Sequence, residues 1–93
     1  KKLLKMAETA ETIDRVEFLL KDCDACISVM KGFIKRMKNT QDEIKKGENP
    51  TDKQAYKMLK HGNTPEKMQE HSNWCNTTYR AALNKRKKEL LGK

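Results

Sequence analysis

The chain has 93 residues, of which 35% are hydrophobic and 37% charged, and carries a net charge of +8. That length holds one domain at most, and that composition excludes a large self-contained core. Neither an apolar run of the ~18 residues a membrane span needs nor a signal-peptide core with a cleavage site is read from it.

The charge is uneven. Residues 1–48 hold 11 Lys/Arg against 9 Asp/Glu, and residues 49–93 hold 10 against 4, setting a near-neutral half beside a basic, anion-seeking half. Three cysteines, an odd number in a Lys-rich chain, argue for a reducing interior over a disulfide scaffold. A chain that opens on Lys1 without Met reads as a fragment or a processed product.

The first predicted element is one helix from about Lys2 to Lys46. Met6, Ile13, Leu20, Ile27 and Ile34 recur every seven residues, and Val16, Cys23, Met30, Met37 and Ile44 follow three residues behind them. These are the a and d positions of a heptad. At ~1.5 Å per residue the helix would run roughly 65 Å, too long for the rest of the chain to cover. Ile13, Val16, Leu20, Ile27, Met30, Ile34 and Met37 are therefore expected to pack on a second copy. Glu8, Glu11, Asp14 and Glu17 read as a solvated acidic face.

Gly47-Glu-Asn-Pro50 should stop this helix, because proline lacks an amide hydrogen and disfavours the helical region for Asn49. Thr51, with Gln54 three residues on, predicts the cap of a second helix over about Asp52–His61, ended by Gly62. Thr64 and Pro65 then open a third. Ser72 to Asn76 are cap-prone and turn-prone residues, with Asn73 tolerant of the left-handed conformation, so a turn is expected there. A fourth helix would bury Tyr79, Ala82 or Leu83, and Leu90. Its other face would carry Asn76, Thr77, Arg80, Ala81, Asn84 and Lys85. The alternative is one amphipathic helix over residues 65–92, with Met68, Cys75, Tyr79 and Ala82 as ordinary core.

The stretch Leu59–Leu91 resembles the helix-turn-helix of LuxR-type regulators and of sigma-factor region four. Leu59 and Gly62 match the end of the preceding helix, Thr64-Pro65-Glu66 with Met68 match the next start, and Cys75, Thr77, Thr78 and Tyr79 occupy the recognition-helix start. The resemblance covers about 35 of the 93 residues. It implies a homo-oligomeric, sequence-specific regulator of transcription that binds double-stranded DNA, cytoplasmic and bacterial or phage-encoded. The fold expected is all-α: a long heptad-patterned oligomerisation helix over residues 1–47 and a small helix-turn-helix unit over residues 51–92. Asn76, Thr77, Arg80 and Asn84 would read bases, Arg suiting guanine and Asn adenine. Thr64, Lys67, Lys87 and Lys88 would lie along the phosphates, with Lys85 also on the DNA-binding face.

Other chemistry is poorly represented. Cys23-x-x-Cys26 and His71-x-x-x-Cys75 offer four soft ligands, but the first pair lies on the apolar seam, where cysteine packs as a small hydrophobe. No metal, cofactor or small-molecule substrate is expected, and no arrangement around His61 or His71 resembles a catalytic triad. The rival function is a helical interaction or assembly module that docks a partner helix, its basic surface serving solubility.

Overall fold

The first apolar run makes two helices. Over residues 2–92, which a computed structural model describes, α1 spans Lys2–Thr9 and α2 spans Ile13–Lys45. The single helix expected from Lys2 to Lys46 is interrupted at residues 10–12, where Thr12 caps a new start. Thr9 Oγ1 donates to the Lys5 carbonyl at 2.7 Å, and the Arg15 amide donates to Thr12 Oγ1 at 3.1 Å. This is an N-cap in front of α2, with Asp14 in the first turn favourably placed towards the helix dipole. The Ala10 carbonyl, which an unbroken helix would spend on its own backbone, accepts Arg86 Nε at 2.8 Å.

Three further α-helices follow: α3 (Lys53–Lys60), α4 (Pro65–Trp74) and α5 (Arg80–Leu91), with a π-helical segment, Cys75–Tyr79, joining the last two. The chain is all-α, with no strand among the described residues. It forms two compact units, Lys1–Ile27 with Asn73–Lys93, and Ser28–Ser72.

In the first unit α1 packs on α5 and on the π segment. The core is Ala7, Ala10, Val16, Leu19, Cys23, Cys75, Tyr79 and Leu83, all buried. Val16, Leu19 and Cys23 sit at helical spacing on one face of α2, the periodicity an amphipathic helix needs.

The second unit is held at its chain reversals. Both helix ends that lead into turns finish on a glycine in the left-handed region, Gly47 (φ 78°) and Gly62 (φ 88°). At each, the glycine amide and the next amide reach back to the helix: Gly47 to Ile44 and Glu48 to Glu43, then Gly62 to Leu59 and Asn63 to Met58. That is the Schellman pattern, which satisfies carbonyls left over at a helix end. The cap of α3 is Asp52 and not Thr51: Asp52 Oδ1 accepts the Ala55 amide at 3.1 Å. Thr51 Oγ1 donates instead to Glu43 at 3.0 Å, and Gln54 accepts Arg36 Nη2 at 3.3 Å. A carboxylate outcompetes a hydroxyl because it accepts two partners at once, and here Asp52 also takes Arg36 Nε and Nη2 at 2.6 and 2.8 Å. Thr64 caps α4 through the Lys67 amide at 3.1 Å, and Pro65 is its first residue. Ile34, Met37, Thr40, Ala55, Pro65 and Ser72 are buried in this unit.

Met37 and Leu83 are both fully buried. Replacing either with Ala should cost about 2–5 kcal/mol, read as a lower urea midpoint at unchanged slope. Asp52 gives a pH signature. The Arg36 guanidinium, helped by the Ala55 amide, holds its carboxyl down at about 2. A depressed carboxylate contributes stability that is complete above its unfolded value, about pH 4, and lost as pH falls through the folded value. The melting temperature of wild type should therefore drop between about pH 4 and pH 2 more steeply than that of Asp52→Asn, monitored by circular dichroism.

Candidate functional site

The turn expected over Ser72–Asn76 is absent. The chain is helical from Pro65 through Leu91, passing from α4 through the π segment into α5. The turn-prone residues find partners within the helix. Ser72 is buried, and Thr77 Oγ1 donates to the Asn73 carbonyl at 2.8 Å, back-bonding that lets threonine persist mid-helix. Among the described residues, no non-glycine adopts positive φ, Asn73 included. Without a left-handed residue there, α4 has no way to reverse.

Irregularity appears instead as the wider π coil. The Arg80 amide reaches the Cys75 carbonyl, five residues back. The wider turn brings residues five apart together: the rings of Trp74 and Tyr79 lie parallel, within 2°, with centroids 6.2 Å apart. Cys75 and Tyr79 both point into the core, and burial pushes the Tyr79 phenol and Cys75 thiol up from their ordinary values.

Three of the four side chains expected to read bases, Asn76, Thr77 and Arg80, are engaged by the chain itself. Arg80 pairs through Nη2 with Asp24 of α2, and its Nε donates to Asn76 Oδ1 at 3.2 Å. Thr77 is committed to Asn73. Of the phosphate-contact candidates, Lys87 Nζ lies 3.6 Å from Glu17, and Lys67 Nζ donates to the Gly62 carbonyl at 3.0 Å. Thr64 serves as the α4 cap. Lys85 lines a groove of about 390 Å³ whose other walls are Glu8, Ala82, Arg86 and Glu89, so two carboxylates share it. Asn84 and Lys88 are exposed on α5. Thr64 and Lys67 belong to the second unit and the other seven to the first.

The oligomerisation candidates fare similarly. Val16, Ile34 and Met37 are buried within one chain, and Ile13, Leu20, Ile27 and Met30 are half-buried. α2 has 33 residues, shorter than the about 45 of an unbroken helix, and four of the seven candidates keep part of their surface open. For zinc, no group of three or more His, Cys, Asp or Glu among the described residues is placed to hold a metal ion. No helix among them is long and apolar enough to cross a membrane.

A different surface emerges on the first unit. Phe18, outside both heptad registers, is 57% exposed on the side of α2 away from its core. The Arg15 guanidinium sits over its ring, 5.3 Å from the centroid. Arg15 also lines an open groove of about 370 Å³ at the α1–α2 break, together with Met6, Thr9, Ala10, Glu11 and Thr12. Met6 is itself exposed. One side chain thus joins an aromatic face to a groove edged by a thioether. The sequence signal was there: an apolar residue off the heptad, with Arg three residues earlier on the same helical face.

Compared with models of known families, with curated proteins and with solved structures, the chain matches none.

The pairing of Arg80 makes its removal chiefly a stability matter. Asp24 is largely exposed, so Arg80→Ala should lower unfolding stability by about 1 kcal/mol or less in urea titrations. It should leave the salt dependence of any duplex binding unchanged.

Proposed function

We propose that the chain is a helical interaction module that docks a partner segment on the Met6–Arg15–Phe18 face of its first unit. The observation that carries this reading is the double role of Arg15, which covers the exposed Phe18 ring and lines the adjoining groove. An exposed aromatic beside a shallow groove, with a guanidinium between them, has the ingredients of an interaction hot spot: an apolar anchor, a flat contact area and a directional donor. A groove of about 370 Å³ suits the apolar side chain of a partner peptide. Arg15 suits a carboxylate one helical turn from that anchor, and the net charge of +8 steers an acidic partner in.

The second reading is duplex DNA binding by a homo-oligomer. Exposed Asn84 and Lys88 on α5, with the overall charge, favour it. With Arg80, Thr77 and Lys87 engaged inside the chain, such binding would rest on phosphate contact and fall steeply with salt.

A photo-crosslinking phenylalanine analogue installed at Phe18, and separately at Lys88, separates the two readings. Docking predicts a discrete protein adduct from Phe18 in cells of the source organism. That adduct should be lost when Arg15 is replaced by Glu, with none from Lys88. In parallel, selection from a random duplex pool should enrich no sequence. An enriched site, with DNA adducts at Lys88 and none at Phe18, overturns the proposal.

A further inference from the structure

The first unit contains a second piece of chemistry, independent of the docking face. Cys23 and Cys75 are both thiols, 3% and 4% exposed, and Cys23 Sγ lies 3.5 Å from the Cys75 carbonyl oxygen. Cys23 thus touches the backbone of Cys75, and both side chains lie in the same core. Cys26 is exposed.

We propose that Cys23 and Cys75 are a redox-sensitive pair that closes to a disulfide under peroxide, stapling α2 to the π segment.

Three features support this pairing over the alternatives. Cys23 and Cys26 lie three residues apart on one regular helix, where Cβ atoms stand about 5–6 Å apart, beyond the ~3.5–4.5 Å a disulfide requires. Cys75, in contrast, comes from the facing element and shares the core with Cys23. It also opens the π segment. A π coil holds one residue more per turn than the flanking α-helix and can tighten locally, so it can absorb the small approach that a sulfur–sulfur bond demands. Burial, the larger influence, keeps the Cys23 thiol above its ordinary value, and the nearby Arg80 guanidinium offsets part of that.

The chemistry balances with peroxide as the oxidant. The Cys23 thiolate attacks one peroxide oxygen, the O–O bond breaks, and hydroxide leaves, giving a sulfenic acid at Cys23. The Cys75 sulfur then attacks the Cys23 sulfur, the S–O bond breaks, and the oxygen departs as water. Two thiols and one hydrogen peroxide become one disulfide and two waters; the sulfurs are oxidised by two electrons and the peroxide oxygens reduced by two.

The staple has a topological consequence. Residues 28–72 form the second unit and leave the first between Ile27 and Asn73. Cys23 and Cys75 lie just outside those two exits, so the bond would close the whole excursion into a covalent loop. Cross-links that close long loops restrict the unfolded chain most.

The test uses the full chain, folded, with hydrogen peroxide as the probe. After exposure, remaining thiols are blocked with N-ethylmaleimide and the protein is digested without reductant for mass spectrometry. The expected result is a peptide pair joined through Cys23 and Cys75, with Cys26 carrying the maleimide. The melting temperature should rise by on the order of 10 °C and return with dithiothreitol. Cys26→Ser, an exposed change that leaves the core intact, should form the same bridge to the same extent; Cys23→Ser should form none. A bridge that includes Cys26, three maleimide-labelled cysteines, or accumulation of sulfinic acid without a bridge would each overturn the proposal.

Discussion

The amide of Arg80 reaches the carbonyl of Cys75, five residues back and not four, and much of the first unit follows from that register. A regular α-helix through the same residues would rotate everything beyond Tyr79 by about 100°. Cys75, Tyr79 and Leu83 are buried along this stretch, and Arg80, at the end of the π segment, pairs with Asp24. Downstream, Arg86 and Lys87 meet the Ala10 carbonyl and Glu17. A polar ladder along α5 thus meets its acceptors on α2 and at the α1–α2 break.

That ladder explains why a basic C-terminal half need not be an anion-binding surface. Net charge counts side chains without saying where they end. Here Arg80, Arg86 and Lys87 terminate on acceptors of the same chain. Each surface pair contributes little stability by itself. What they remove is availability, since a guanidinium already holding a carboxylate must give it up before it can hold a base or a phosphate. The charge left to the solvent, on Lys85, Lys88 and the lysines of α2 and α3, is diffuse.

Boundaries marked by backbone chemistry were legible in the sequence. Gly47, Gly62, Thr64 and Pro65 each constrain φ or supply a cap, and each does so where the sequence placed it. The apolar seam of α2 was legible too, since Val16, Cys23, Ile34 and Met37 are all buried. Its cover was not, because periodicity shows which face is buried and says nothing about what buries it. Two local readings failed for related reasons. Thr12 followed by Ile-Asp-Arg carries a cap signal that the heptad running through it masks. Ser72 to Asn76 looked like a turn because serine and asparagine favour turns when their side chains have no helical partner; burial and back-bonding remove that condition. The Met6–Arg15–Phe18 face was not legible as a unit, since Met6 lies in the heptad while Phe18 and Arg15 gain meaning only beside the α1–α2 break.

The eight-residue helix α3 carries a consequence of its own. A helix this short does not hold itself together in water, where isolated helices need about 12–15 residues to be even marginal. It is pinned at one end by the Arg36–Asp52 clamp and at the other by the Gly62 reversal. Between them only Ala55 is fully buried. Opening α3 therefore breaks two end contacts and exposes little apolar surface, an inexpensive local excursion on the scale of the whole fold. Its backbone amides should exchange with solvent deuterium ahead of those in the Val16–Cys23 stretch of α2. The loop Gly47–Thr51 that leads into it is then where a protease would find the chain first.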